Sequence, residues 1–154
     1  MPKVIVFEVR GVQVPKEHLE AQAFLDPFFA QLKEEVKKSR HTRIVSGYED
    51  NLRNLGEGML WALPAHSRTM SGSLGNPHWI PSDAEMGDDL RDLVPTAQIN
   101  VFLPYLPPLR LINLICSMYD IPFSEEEKEY PFGTFWVINL DRGQYGVLRV
   151  DLKR

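Results

Sequence analysis

The stretch GTFWVINLDRGQYGVLRVDLKR, residues 133–154, carries the clearest local pattern in the chain. Large apolar residues occupy alternate positions on both sides of a central turn: Trp136, Ile138, Leu140, Leu148, Val150 and Leu152. A two-residue period is typical of strands with one buried face. Between the two runs, residues 141–144 include Gly143, which tolerates the positive φ that a tight hairpin turn requires. The pattern predicts an antiparallel β-hairpin at the end of the chain, with these even-numbered residues facing the core.

Further elements are predicted upstream of the hairpin. KVIVFEVR, residues 3–10, alternates in the same way and predicts a half-buried strand. Apolar residues at three- and four-residue spacings predict a helix over residues 15–38, kinked or broken at Pro27. Residues 98–104 predict another strand. Residues 107–120 predict a helix that is apolar nearly all round and therefore covered on more than one face.

The middle of the chain is less regular. Arg43–Ser46 predicts a short strand, Glu49–Leu55 a short helix and Met59–Leu63 another strand, separated by glycines. Residues 64–87 show no clear period and are predicted to form a long loop, which in a compact domain is either functional or conceals an element. A short helix is predicted over residues 88–93.

The order of these elements indicates the fold class. Helices cluster rather than alternate strictly with strands, and a hairpin closes the chain, which favours the α+β class over a doubly wound sheet. We expect a single α+β domain over residues 1–154, with an antiparallel or mixed sheet of about four to six strands. Helices are expected on one face of the sheet, with the other face partly open.

Charge and cysteine content exclude several classes of protein. The formal net charge is −4, whereas binding to a phosphate backbone draws on clustered Lys and Arg, so nucleic acid is not expected as a partner. Cys116 is the only cysteine, which excludes an intramolecular disulfide and Cys-rich zinc sites, and its apolar surroundings predict a buried thiol. No run approaches the ~20 apolar residues that span a bilayer. We expect no membrane contact and a cytoplasmic location.

Catalytic and cofactor motifs are weak. No glycine-rich phosphate-binding loop follows a predicted strand, and Ser73 does not lie in the G-x-S-x-G sequence of a nucleophile elbow. His66 and His78 lack the spacing of metal ligands, so neither a metal nor another cofactor is expected. If the loop folded back, His66, His78 and Asp83 could converge and support acid–base chemistry.

A cluster of acidic residues follows Trp79 in the sequence. The acidic residues of this region are Asp83, Glu85, Asp88, Asp89 and Asp92. Protein interfaces favour an aromatic anchor with a polar rim, and acidic patches steer encounters with basic partners. The region therefore predicts a contact surface for another protein with a basic surface. The alternative is a solvated helix face, with Trp79 packed in the core.

Three functional hypotheses follow. The first is a non-enzymatic inhibitor or adaptor, of the immunity-protein, antitoxin or counter-defence type, that binds its partner through the acidic, Trp79-containing surface. The second is a small hydrolase or transferase that uses His66, His78 and Asp83. The third is a small-ligand-binding module between the open sheet face and the apolar helix over residues 107–119.

Overall fold

The structure is a computed structural model that describes residues 2–10, 13–37, 39–62, 67–70, 74–75, 78–125, 130–131 and 133–149. Within these ranges the strands are β1 (Lys3–Phe7), β2 (Thr42–Ser46), β3 (Ser67–Met70), β4 (Ile99–Leu103), β5 (Thr134–Asn139) and β6 (Gln144–Arg149). The α-helices are α1 (His18–Val36), α2 (Asp50–Ala62), α3 (Asp83–Leu93) and α4 (Pro108–Met118). None of the helices in the described part is long and apolar enough to cross a membrane.

The strands form one mixed sheet in the order β3-β2-β4-β1-β5-β6. The first four strands in this order pair in parallel, whereas β5 pairs antiparallel with both β1 and β6. The predicted hairpin is formed by β5 and β6, and Gly143 in its turn has a φ of 63°. The expected α+β class, the mixed sheet and the C-terminal hairpin are confirmed. Val150 and Leu152 lie outside the described residues.

Helices cover both faces of this sheet, which corrects the expectation of one covered and one open face. Ile5 and Phe7 of β1 pack in a core cluster with side chains of α1 and α2, and Val4 and Val6 pack in a second cluster with α3 and α4. The physical reason is that parallel strands require crossover connections, whose helices shield the sheet. Residues 3–7 are therefore a strand buried on both sides, not a half-buried one.

Two predictions for the middle of the chain are also wrong. Met59 belongs to α2, where it is buried together with Leu52 and Leu55 at helical spacing, so the predicted strand over 59–63 does not form in its described part. The predicted loop over 64–87 contains β3, and α3 begins at Asp83 rather than at residue 88. The Ser82 hydroxyl accepts a hydrogen bond from the Glu85 backbone N–H, which closes a capping box and fixes the earlier start of α3.

A crevice forms where β1 and β4 end. These strands are parallel neighbours, but the helices that follow them, α1 and α4, pack on opposite faces of the sheet. Adjacent connections that diverge in this way leave a gap at the carboxyl ends of the strands, which is where ligands bind in open sheets of this kind. The fold thus directs attention to the residues that follow Phe7 and Leu103.

Candidate functional site

A cavity of about 730 Å³ lies at this crevice. Its walls come from Glu8 and Arg10 after β1, from Asp83 at the start of α3, from residues of 107–117 in and before α4, and from Tyr130. Its size falls in the range of small-molecule sites, about 300–1,000 Å³. The cavity therefore joins segments that are far apart in sequence and meet through the pairing of β1 with β4.

Arg10 is held by Glu8. The Arg10 Nε donates to Glu8 Oε1 at 2.9 Å, and Nη2 donates to Oε2 at 3.1 Å. Glu8 is 6% exposed, and its backbone exchanges hydrogen bonds with Thr134 and Gly133 beside β5. A bidentate pair fixes the plane of the guanidinium as well as its position. The Arg10 side chain, 45% exposed, is thus presented to the cavity by a buried carboxylate.

Arg110 is fixed by the beginning of α3. Its Nε donates to Asp83 Oδ1 at 2.8 Å, and its Nη2 donates to the carbonyl oxygen of Pro81. Asp83 follows the helix cap Ser82 directly, so the cap of α3 also sets the position of this carboxylate. The second guanidinium of the cavity is therefore oriented from the opposite wall.

The cavity has donors that can bind an anion, while its charged side chains balance. The guanidiniums of Arg10 and Arg110 and the carboxylates of Glu8 and Asp83 line it, and α4 begins beside it with Pro107 and Pro108. The positive end of a helix dipole attracts negative charge, but Pro108 has no backbone N–H to donate. Arg10 and Arg110 are the cationic donors in the described lining of the cavity. The planar guanidinium donor set suits phosphate and carboxylate groups in particular.

Tyr130 forms a rigid aromatic wall. Its hydroxyl donates to Glu125 Oε2 at 3.1 Å, and the Tyr145 hydroxyl donates to Oε1 of the same carboxylate at 3.3 Å. The Tyr130 ring meets Trp136 edge-on, with ring centroids 4.9 Å apart and an interplanar angle of 77°. Contacts at the hydroxyl and at the ring hold this side chain in one orientation.

The histidines predicted from sequence do not join this site in the described part of the chain. Asp83 lines the cavity, whereas His78 is exposed and is not among the lining residues. His66 lies outside the described residues, so its convergence with the other two stays a prediction. Arg10 and Arg110 were not among the residues predicted from the sequence, although Glu8 and Arg10, two charged residues directly after the apolar strand KVIVF, indicated the position of Arg10.

The acidic surface is distributed along α3. Glu85 belongs to the helix cap, and Asp88 accepts a hydrogen bond from Arg91 at 3.0 Å. Asp89 and Asp92 are exposed. Trp79 is 45% exposed and so is not packed in the core. Binding of a basic partner protein through these residues stays a prediction.

Cys116 is buried, as predicted, at 2% exposure. Desolvation raises the pKa of its thiol to about 11, so the nucleophilic thiolate does not form near neutral pH. Among the described residues, no group of three or more His, Cys, Asp or Glu side chains is arranged to hold a metal ion.

Comparison with solved structures finds a likeness in overall fold. The chain is similar to a protein of Agrobacterium tumefaciens that has been proposed to be the phosphohistidine phosphatase SixA, with a TM-score of 0.54 and 12% sequence identity. The similarity covers 96% of this chain and 95% of the other. No family model matches the chain. No curated protein matches it by sequence.

This likeness corrects the first functional hypothesis. The non-enzymatic inhibitor, adaptor, immunity-protein or antitoxin hypothesis is wrong, because the fold is similar to that of a protein proposed to be a phosphatase. That reading depended on acidity and on the lack of a catalytic motif, which describe many small proteins equally well. The hydrolase or transferase alternative agrees better with this finding.

Proposed function

We propose that this protein is a hydrolase that removes the phosphoryl group from an organic phosphate bound in the cavity. One observation carries the proposal, namely that Arg10 and Arg110 line the same crevice at the carboxyl ends of β1 and β4. The likeness to a protein proposed to be a phosphatase supports it.

The cavity residues have distinct roles in this proposal. Arg10 and Arg110 bind the non-bridging phosphoryl oxygens and stabilise the charge that develops on them during transfer. Asp83 accepts a proton from the attacking water, whose oxygen bonds to phosphorus as the bond to the leaving oxygen breaks. The leaving oxygen takes a proton from solvent. Glu8 is a positioning residue that acts through Arg10.

The test is phosphate release from para-nitrophenyl phosphate and from phosphohistidine. Arg10→Ala and Arg110→Ala should each lower kcat/KM by about 10²–10³-fold, since each removes a donor to the transition state. Arg142→Ala is the matched control, because Arg142 is exposed in the β5–β6 turn and does not line the cavity. Wild-type rates in both cavity variants, or no release by the wild-type protein, would contradict the proposal.

A second candidate is a module that binds a phosphorylated ligand without turnover. The observation that favours it is that no histidine lines the described part of the cavity. The cavity includes side chains of α4, although the site predicted between an open sheet face and the helix over residues 107–119 does not form, because α4 packs against that face. Calorimetry with inorganic phosphate separates the two candidates, because binding without phosphate release from any organic phosphate supports this module alone.

A cytoplasmic location is also proposed. Its support is that the only cysteine of the chain is a buried free thiol, which is compatible with a reducing compartment. Fractionation of the native cell tests it, and recovery of the protein in the extracytoplasmic fraction would contradict it.

A further inference from the structure

The site cavity continues into a groove between α3 and α4. A second cavity of about 410 Å³ lies along the two helices. Asp83, Leu114 and Ser117 line both cavities, whereas Gly87 and Met118 line the second one. The two spaces therefore share a boundary beside the Asp83–Arg110 pair.

Gly87 is unusual in its helix. It lies in the middle of α3 and is buried, and glycine destabilises a helix interior relative to alanine. A Cβ built on Gly87 would meet nothing within 4 Å. Its φ is also not positive. Neither packing nor backbone conformation requires glycine here, and the missing side chain leaves the groove open at this point.

We propose that the groove holds the organic part of the phosphorylated substrate, which passes over Gly87, while the phosphoryl group lies between Arg10 and Arg110. This inference rests on the proposed function. Gly87 lies four positions after Asp83, which is about 6 Å along a helix. The substrate is therefore an extended organic phosphate whose body spans at least one helical turn, not a short ester.

The chemistry of the groove limits what this body can be. Leu114 and Met118 give one wall apolar contact area, and the Asp88–Arg91 ion pair, 3.0 Å long, lies on the α3 side. An organic group with both apolar and hydrogen-bonding parts can contact both walls of the groove. A phosphorylated peptide segment and a nucleotide share this chemistry, and the experiment distinguishes them.

The experiment measures binding of three probes by calorimetry: inorganic phosphate, a hexapeptide with a central phosphoserine, and adenosine monophosphate. Gly87→Met should fill the groove and weaken binding of the extended probe by about tenfold or more, which corresponds to about 1.4 kcal/mol. Its affinity for inorganic phosphate should stay unchanged. Asp89→Met is the control, because this exposed position lies about 200° round the helix from Gly87 and lines neither cavity.

Each outcome has one meaning. A loss with the peptide alone identifies a peptide substrate, and a loss with the nucleotide alone identifies a nucleotide. The inference is overturned if both extended probes bind Gly87→Met as tightly as wild type, or bind wild type no tighter than inorganic phosphate does. Failure of inorganic phosphate to bind the wild-type protein would instead refute the proposed function. Gly87→Ala, which adds only one methyl group, shows whether this position tolerates any side chain without unfolding.

Discussion

At the scale of single residues, the site consists of charges held by opposite charges. Glu8 holds Arg10, and Asp83 holds Arg110. Asp83 could be selected from the sequence because it lies in a visibly acidic region. The arginines could not be selected as a pair, because one hundred positions separate them and nothing local indicates that β1 and β4 are neighbours.

Arg10→Ala should destabilise the protein by about 1–3 kcal/mol, because it leaves the buried Glu8 carboxylate without its charged partner. The double variant Arg10→Ala/Glu8→Gln should recover part of that loss, since the unpaired charge is gone. Urea unfolding of both variants and of Glu8→Gln alone completes the cycle. Equal stability of Arg10→Ala and wild type would show that the pair contributes nothing to the fold.

Cys116 should make the fold sensitive to alkali. Burial raises the pKa of its thiol from 9.0 to about 11 in the folded state, so between these pH values the unfolded state releases a proton that the folded state retains. Below pH 9 this thiol therefore has little effect on the free energy of unfolding. As the pH rises to 11, its titration should lower the free energy of unfolding by about 2–3 kcal/mol. Denaturant midpoints of wild type and Cys116→Ala at pH 8 and pH 10.5 measure the difference. Parallel pH dependences would contradict this assignment.

At the scale of elements, helices and strands were predicted correctly where the spacing of apolar residues was regular. Alternation and Gly143 predicted the β5–β6 hairpin, although Leu148, predicted to face the core, is 39% exposed. Three- and four-residue spacings predicted α1 and α4, although α1 continues through Pro27 without the break that was one of the two expectations there. The pattern failed at β3, a four-residue edge strand whose sequence SRTM shows no apolar alternation. It also failed at the end of α2, where Gly56 and Gly58 suggested breaks in a helix that continues through both.

The cap of α3 links helix stability to the site. Ser82→Ala removes the capping-box hydroxyl and should cost about 1 kcal/mol of folding free energy. Because Asp83 follows this cap and orients Arg110, affinity for inorganic phosphate should fall as well. Ser82→Thr preserves the hydroxyl and is the conservative control. Thermal unfolding and calorimetry measure the two effects, and an unchanged phosphate affinity in Ser82→Ala would separate the cap from the site.

At the scale of the whole molecule, the order of the strands in the sheet determines where the crevice lies, and this order could not be predicted from the sequence. The expected strand number and mixed pairing are confirmed, but the second helical layer was missed. Successive strands are added toward one edge of the sheet as far as β3 and toward the other edge from β4 onward, and α3 and α4 lie on the face opposite α1 and α2. No local pattern encodes this reversal, and the crevice between β1 and β4 depends on it.

Strand β5 should be essential to the sheet, whereas β6 should be less so. A chain that stops after residue 133 lacks β5 and leaves one edge of the buried strand β1 unpaired, so we expect it to be insoluble. A chain that stops after residue 143 keeps β5 and loses the edge strand β6 together with the residues that follow it, and it should remain folded, although less stable. Solubility and far-ultraviolet circular dichroism distinguish them, and a folded shorter chain would refute the role of β5.

The central position of β1 has a consequence for how the protein is made. Lys3 pairs with Ile99 on one side and with Asn139 on the other, so this strand leaves the ribosome before both of its partner strands, of which β5 is the later. At about 5–20 residues per second, the segment KVIVF waits between about 7 and about 27 s for that partner. Until β5 emerges, one edge of this apolar strand has no partner in the sheet, which leaves it open to pairing with other chains.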